Sequence, residues 1–481
     1  MKTNDSDTTA KKKKILKPIP FIISILVGII LWFVPAPLKV DIIGWHTLAV
    51  FLSIIVGCIL DAAPMGLYAL IGIAVLSVTQ TLPVKEVFSG YASKTVWLIV
   101  IAYCVSIGFR KTGLGERIAY KMVEIFGKNS LTLGYSLLLC DLVVAPLIPS
   151  NTARGAGVVF PIATSLSESL GSKPNDGTAR KIGAFLLLVS FHANLITGAM
   201  FLTGMGTNPI AIALAKNVAN VDITWGGWFL AALIPGLISL IVIPLLLYAL
   251  YRPEMTQMPE AKEMVKQELK RMGPVKKSEK QMIVSFILMI ILWVFGKQLH
   301  VNTTITAIIG LCILLILNVV EWKDVTSERS AWNILLWLGP LMMMASQLSK
   351  YGVIAWFSKI VQENVHGLSW QIATIILAIV YYYSHYLFTS TIVHMQAMYA
   401  PFLSILIGLG APAMPIALLF AFLTCMCAAT THYGTGTAPV YFGAGYVKQS
   451  KWWELGFIVS VFELVVWIGI GFLWWKILGL Y

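Results

Sequence analysis

Apolar stretches of about 17–25 residues, each long enough to cross the hydrocarbon core of a bilayer as a helix, recur along nearly the whole of this chain. Examples are Pro20–Pro35, Ile42–Leu60, Trp97–Phe109, Trp228–Leu250, Met282–Phe295, Thr304–Val319 and Phe457–Leu478, with flanking residues completing the shorter ones. Composition agrees. Of the 481 residues, 58% are hydrophobic and only 12% are charged, against about 25% charged in an ordinary soluble domain. Mean hydropathy is +0.81. The expected fold class is an all-α polytopic membrane protein. About eleven transmembrane helices fit the pattern, together with two apolar segments that read as re-entrant hairpins.

The net charge of +13 does not imply a nucleic-acid partner. The basic residues sit in short loops between apolar spans, which is the positive-inside pattern. These segments are Lys11–Lys17, Arg110–Lys128, Lys173–Lys181, Arg252–Lys280, Lys323–Arg329 and Lys448–Lys451. All can face the cytoplasm if the N-terminus is inside and Leu131–Ser167 enters and leaves on one side. The C-terminus is then outside, and the location is a bacterial-type cytoplasmic membrane. The first span is not read as a cleavable signal, because Phe21–Val34 runs into Pro-Ala-Pro-Leu-Lys without a small-residue cleavage site. The chain divides into a basic cytoplasmic tail (1–18), a first half (19–250), a polar amphipathic linker (251–281) and a second half (282–481). All six Cys lie in apolar segments and read as small buried hydrophobes. Cys425-Met-Cys427 has no metal-ligand spacing, and no metal or cofactor is expected.

The two halves carry matching punctuation. Ser150-Asn151-Thr152-Ala-Arg154 interrupts one apolar hairpin, and Gly206-Thr207-Asn208-Pro209 follows in the next span. The second half has Ser390-Thr391-Ile-Val-His394, then Gly436-Thr437-Ala-Pro439. Corresponding interruptions in two halves are the best sequence pointer to a transporter binding site, and an inverted repeat satisfies the loop parity. Non-helical backbone at membrane depth survives only where protein or a water-filled cavity satisfies it. Ser, Asn and Thr there can cap the half-helix that follows. Its free N–H groups and positive dipole end then favour an anion. Two such tips meeting near the midplane suit a short molecule with an anionic group at each end. A single Ser-Asn-Thr triplet is more often a plain helix cap; two matched breaks argue against that.

Arg154 and His394 each lie four residues after the Ser of their break, so each shares a face with it on a helix. An Arg at the membrane centre costs about 2.5–3.5 kcal/mol on insertion scales. It therefore needs a partner, either Asp141 or a bound anion. His394 is either a second cation or a neutral hydrogen-bonded ring. His432 is a secondary candidate, while His385 and His192 read as helix–helix contacts. The clusters Tyr381–Tyr383 and Trp474-Trp475 read as interfacial aromatic belts.

Four stretches carry a resemblance: "PSNTARGAGVVFPI" (149–162), "GMGTNPIA" (204–211), "SHYLFTSTIVHMQAMY" (384–399) and "THYGTGTAPVYFGAGYV" (431–447). They resemble the divalent anion/sodium symporter family. They look closest to its dicarboxylate exchanger branch, with plastid 2-oxoglutarate/malate translocators and bacterial citrate/succinate antiporters. The resemblance implies a homodimer whose protomers each hold a scaffold domain and a moving transport domain, working as an elevator. It implies that Ser150, Asn151, Thr152, Ser390 and Thr391 bind substrate carboxylates, with Thr207 and Thr437 at the later breaks. The second motif departs from the family pattern, with Thr391 where Asn is usual and Ile392 where Thr is usual. In sodium-coupled relatives these motifs and the later broken spans also hold sodium.

A dicarboxylate carries about two negative charges at neutral pH, since carboxyl pKa values lie near 4. Sodium can compensate them and leave with the substrate; Arg154 and a charged His394 cannot. An empty site with fixed cations would cross the membrane at a cost of several kcal/mol, so the expected activity is sodium-independent dicarboxylate exchange. Sodium- or proton-coupled symport is the alternative, and an anion channel a further one. No HExxH, G-x-S-x-G or P-loop motif suggests an enzyme.

Overall fold

Among the described residues of the computed structural model, 16–296, 298–364 and 368–481, helix is the only extended regular element. The sole β pairing there is a bridge between Asn129 and Gln257. Lys11–Lys14, the basic run of the expected tail, lie outside these residues. Seven helices among the described residues are long and apolar enough to cross a membrane: Ile42–Ile59, Lys94–Thr112, Gly183–Met200, Trp225–Leu250, Thr391–Gly408, Ala413–Thr430 and Gln449–Ile477. Pro18–Phe33, Met65–Val78, Ser130–Val144 and Thr303–Ile316 are apolar but shorter. Ile22, Leu26, Ile30 and Phe33 on the first helix, and Ile372, Ile375 and Ile379 on Trp370–Ser384, are exposed. Apolar faces of that kind mark contact with lipid or protein rather than water.

Two of the described helices have almost no outer face. Every residue of Gly183–Met200 is buried, and Ala413–Met426 is buried from Pro415 onward. A helix apolar on all sides belongs in an interior, and these two pack on each other. Ser130–Val144, Phe160–Ser169 and Trp225–Leu250 surround the first; Trp370–Ser384, Thr391–Gly408 and Gln449–Val465 surround the second. The other helices form a chain of neighbours. Pro18–Phe33 packs on Ile42–Ile59, which packs on Met65–Val78, and that helix packs on Arg329–Lys350. Lys94–Thr112 joins Arg329–Lys350 to Thr303–Ile316, which carries Lys277–Val294.

One succession of elements occurs twice. A helical hairpin is followed by a buried helix, a break, a short helix and a long helix, first over 130–250 and again over 370–477. In the first break, Phe201 and Met205 are extended around the turn Leu202–Gly204, and helix resumes at Thr207–Ala219. In the second, Cys427–Thr430 forms a tight turn, Thr431 is extended, and helix resumes at Ala438–Gly443. Pro209 and Pro439 stand near these restarts, where a missing N–H costs little.

The basic loops are joined to one another. Arg110 pairs with Glu328, and Lys111 with Asp324 at 2.6 Å. Arg180 reaches the Arg252 carbonyl, while Arg180 and Lys451 both lie over the Tyr251 ring. In the linker, Pro259–Met272 is helical and packs on Leu114–Phe126. Arg117 fastens this region, with Nε 2.8 Å from Glu279 Oε1 and Nη1 2.9 Å from the Gly273 carbonyl. Both side chains are buried. Removing one partner of a buried pair typically costs about 3–5 kcal/mol. Glu279→Ala is therefore expected to lower the thermal midpoint of the detergent-purified protein clearly. An unchanged midpoint would mean that Arg117 finds its partners elsewhere.

The expected aromatic belts are a correction. Tyr381, Tyr382 and Trp475 are buried, and Tyr383 and Trp474 are half-buried. The Tyr381 hydroxyl lies 2.6 Å from Thr424 Oγ1, and Trp475 Nε1 donates to the Ala231 carbonyl at 2.9 Å. Their polar tips meet hydroxyls and backbone oxygens inside the bundle, which suits a buried Tyr or Trp as well as an interface does.

Candidate functional site

The first hairpin is started by Asn129, whose side chain accepts from Thr132 N while the Thr132 hydroxyl accepts from Asn129 N. Its first arm stops at Val144, just before Pro146 and Pro149. Proline lacks the donor and disfavours helix in the residue before it. Ser150 is extended, with its Oγ accepting from Ala153 N at 3.1 Å, and helix restarts at Asn151. That helix runs on through a wide turn at Gly155–Val159 to Ser169. Such i→i+5 turns are frequent at functional sites. The second hairpin ends its first arm in the turn His385–Leu387. It restarts at Thr391 after an extended Ser390 that makes no side-chain cap.

Between the tips lies a cavity of about 300 Å³. Ser150, Asn151 and Thr152 line it from the first tip, Ser390 and Thr391 from the second, and Gly206, Thr207 and Gly436 from the two breaks. The expected residues are thus brought together from four separate elements. Thr437 is buried beside the cavity, its Oγ1 3.5 Å from Thr152 Oγ1. Asn208 is also buried, and its amide ties Gly198 O and Phe201 O across the break at 2.7 and 2.9 Å. Pro209 faces a different cavity, and Pro439 is exposed. Asn151 Nδ2 donates to Thr435 Oγ1 at 3.1 Å, linking the first tip to the second break.

Tyr103, Met205, Thr389, Ile392 and Thr435 also line the cavity and were not expected as ligands. Thr389 and Thr435 adjoin the polar breaks, so their neighbours were the available signal. Met205 directly precedes Gly206. Tyr103 lies in an unbroken apolar span and carries no pattern of its own.

None of the lining residues is charged. The expected role of Arg154 as a free cation is corrected. Arg154 is fully buried, with Nε 3.1 Å from both Asp141 carboxylate oxygens. Nη1 donates to Ile148 O at 3.0 Å and Gly204 O at 2.7 Å. Nη2 donates to Asn194 O at 2.9 Å and Thr197 Oγ1 at 3.3 Å. Every guanidinium N–H thus has an acceptor, and Asp141 balances the charge. Asp141 also accepts from Asn194 Nδ2 at 3.1 Å and from the Thr197 hydroxyl. A buried cation costs too much to remain unpaired, and the arms of one hairpin supply the counter-ion.

His394 likewise does not line the cavity. It is buried, with Nε2 3.0 Å from the Tyr381 carbonyl and 2.9 Å from Ser384 Oγ. Its ring centroid lies 5.0 Å from that of His385, and the groups it bonds among the described residues, Ser384, the Tyr381 carbonyl and Cys427, include no carboxylate. Two imidazoles at this distance without a counter-ion suit neutral rings, which corrects the expectation of a second fixed cation. His432 Nδ1 accepts from Trp453 Nε1 at 3.0 Å, away from the cavity lining. His192 is buried against Phe191.

Backbone dipoles are then what can offer positive charge to an anion at the cavity. Helices starting at Asn151, Thr207 and Thr391 all direct their first turns at it. Each aligned helix contributes the equivalent of roughly half a positive charge at its N-terminus. Hydroxyls of Ser150, Thr152, Thr207, Ser390, Thr391 and Thr435 add rotatable donors.

Residues 16–481 match the family described as the sodium:sulfate symporter transmembrane region. A Bacillus subtilis (strain 168) protein named as a putative malate transporter is 49% identical over 476 residues, covering 99% of this chain and 100% of its own. The chloroplastic dicarboxylate transporter 1 of Spinacia oleracea is 45% identical, covering 96% of this chain and 82% of its own. The chloroplastic dicarboxylate transporter 2 of the same plant is 40% identical, over 97% and 83%. Among solved structures, the YdaH transporter of Alcanivorax borkumensis is similar with a TM-score of 0.58 at 11% identity, over 81% of this chain and 86% of its own. That likeness speaks for the fold alone.

Proposed function

The chain belongs to the sodium:sulfate symporter family, whose members are membrane transporters rather than enzymes, and on that premise we propose that it exchanges dicarboxylates across a cytoplasmic membrane without sodium. The observation that carries this reading is the charge-free polar cavity between two hairpin tips, faced by helix N-termini from both halves. Oriented N–H groups are suited to carboxylates, and opposed sets of them are suited to a carboxylate at each end. The relatives named for malate and dicarboxylates support the same substrate class. C4 dicarboxylates and 2-oxoglutarate are the proposed substrates.

Arg154 supports sodium independence, though by a different route from the one its sequence position suggested. Its guanidinium occupies the carbonyl oxygens of Ile148 at the first tip and Gly204 at the first break, together with that of Asn194 on the buried helix Gly183–Met200. Unwound backbone carbonyls at such breaks are what coordinate sodium in coupled transporters. A tethered guanidinium fills that role and cannot leave. The loaded and empty sites then differ by the full charge of the substrate. A pocket tuned by N–H dipoles to the dianion leaves those donors unsatisfied when empty. Partial positive charges at the helix N-termini offset part of the dianion's charge in the loaded form and stand uncompensated in the empty one, so we propose that the loaded form crosses and the empty form stalls, giving one-for-one exchange.

The wider arrangement we propose has about eleven spans and two re-entrant hairpins in inverted halves, with the N-terminus in the cytoplasm and the C-terminus outside. The helices packed around Gly183–Met200 and Ala413–Met426 form the moving transport domain of an elevator. The group containing Pro18–Phe33 and Arg329–Lys350 forms the scaffold of a homodimer.

Counterflow into proteoliposomes tests the activity. Labelled succinate, malate or 2-oxoglutarate should enter only vesicles preloaded with unlabelled dicarboxylate, equally in sodium and in sodium-free potassium buffer. Uptake into empty vesicles driven by a sodium gradient would replace exchange with symport. Current without saturation or trans-stimulation would make the protein a channel.

A further inference from the structure

Behind the second hairpin tip, three buried side chains from three elements come together. His385 lies in the turn that ends the first arm, His394 on the helix of the second arm, and Cys427 in the second break. One ligand atom from each, a ring nitrogen or the sulfur, lies within 4.8 Å of the others. The imidazoles are held in the same way. His385 Nε2 is 2.7 Å from the Gly434 carbonyl, and His394 Nε2 is 3.0 Å from the Tyr381 carbonyl. A backbone carbonyl accepts only from N–H, so both rings carry their proton on Nε2. Nδ1 is left with the lone pair on each. His385 Nδ1 has no hydrogen-bond partner although it is buried, and His394 Nδ1 faces Cys427 Sγ at 3.9 Å. Metal-binding histidines characteristically donate their second N–H to a carbonyl or carboxylate, which fixes the ring and its tautomer.

We propose that His385, His394 and Cys427 form a site for a thiophilic d10 metal ion, Cu(I) or Zn(II). Two imidazoles and a thiolate select these ions over the hard cations that carboxylates and carbonyls prefer. Metal–ligand bonds of about 2.0–2.3 Å place ligands roughly 3.5 Å apart, so the three groups need to close by about an ångström. Binding displaces the Cys427 proton to solvent, and the thiolate then carries one negative charge. With Cu(I) the centre is neutral, as burial favours. With Zn(II) it keeps one positive charge. An acid that could balance it is Glu463, which is buried, accepts from the Tyr382 hydroxyl and has its other oxygen unpartnered. The spacing of the three residues in sequence gave no hint of this site, because each comes from a different turn or helix.

A metal there would join both arms of the second hairpin to the second break. Thr389, Ser390 and Thr391 at the cavity lie between His385 and His394 in the chain. Holding these segments together would freeze the tip, so the bound ion acts as an inhibitor of transport. Binding itself does not rest on the exchange reading.

The test is metal titration of the detergent-purified full chain with Zn(II), and with Cu(I) under reductant, reading bound metal by elemental analysis after gel filtration. One equivalent should be retained, and the ion retained at the lower free concentration identifies the class. Cys427→Ser should lose it, whereas Cys312→Ser, at an exposed thiol, should keep it. If Cys427→Ser does not purify as a folded protein, Cys427→Ala and His385→Gln serve in its place. Metal-saturated protein should lose substrate uptake at least tenfold, with recovery on chelation, whichever transport mode it uses. No retained metal, or equal retention after Cys427→Ser, would overturn the site. Retention with unchanged uptake would overturn its role in holding the tip.

Discussion

Arg154→Ser is expected to cut dicarboxylate exchange in sodium-free potassium buffer by at least about tenfold, and to make the remaining activity respond to sodium. The substitution strips donors from the Ile148, Gly204 and Asn194 carbonyls and leaves Asp141 buried without its cation. Breaking a buried pair in this way typically costs about 3–5 kcal/mol, and a tenfold effect needs only about 1.4 kcal/mol of it. What remains is a cage of three carbonyl oxygens beside a carboxylate that Asn194 and Thr197 still orient. The Ile148 and Gly204 oxygens lie at the tip and the break, where unwound carbonyls are suited to sodium, so sodium should restore part of the activity where potassium does not. The double variant Asp141→Asn/Arg154→Met removes the carboxylate as well. It should fold without gaining a sodium response. Arg154→Ser activity equal to wild type in potassium would show that the guanidinium fills no needed place. A sodium response surviving in the double variant would remove Asp141 from the cage.

The parts of this molecule that punctuation controls were legible in the sequence. Pro146, Pro149, Gly206 and Gly436 break helices for local reasons, and Ser150 to Thr152 restart one. Those signals led to the cavity that the two tips share. Arg154 was visible as an anomaly, and Asp141 was visible as one of its two candidate partners. The choice between them was not. It depends on how the two arms of a hairpin pack, and no local rule fixes the register of one arm on the other. Tyr103 was invisible for a similar reason, since a lone tyrosine in an apolar span says nothing about which face is wet. The polar tips of Tyr381, Tyr382 and Trp475 fitted a membrane interface equally well, and only packing puts them beside Thr424, Glu463 and Ala231. Reading Arg154 and His394 as free charges failed on energetics. A buried cation recruits a counter-ion, and a buried imidazole without one is better neutral.

Gly436 gives the second large effect. A Cβ built there would stand 2.7 Å from Thr152 Oγ1 and 3.4 Å from its Cγ2. The backbone at Gly436 has no positive φ, so the constraint is space rather than strain. Thr152 cannot yield freely. Its branched side chain sits in the first turn of a helix, where few rotamers are open, and its hydroxyl is within 3.5 Å of Thr437 Oγ1. An added methyl must therefore push the first tip away from the second break and loosen the Asn151–Thr435 contact beside it. Gly436→Ala is expected to raise the KM for dicarboxylate about tenfold, which corresponds to about 1.4 kcal/mol. Gly436→Val also fills part of the roughly 300 Å³ cavity and should abolish measurable exchange. Gly443, at the end of the short helix Ala438–Gly443 that follows, has nothing within 4 Å of its Cβ position. Gly443→Ala should behave as wild type, which separates crowding at the cavity from any general intolerance of the second break to side chains. If Gly436→Val still exchanged dicarboxylate with an unchanged KM, the substrate could not lie between the first tip and the second break, and the anion site would have to be sought elsewhere in the fold.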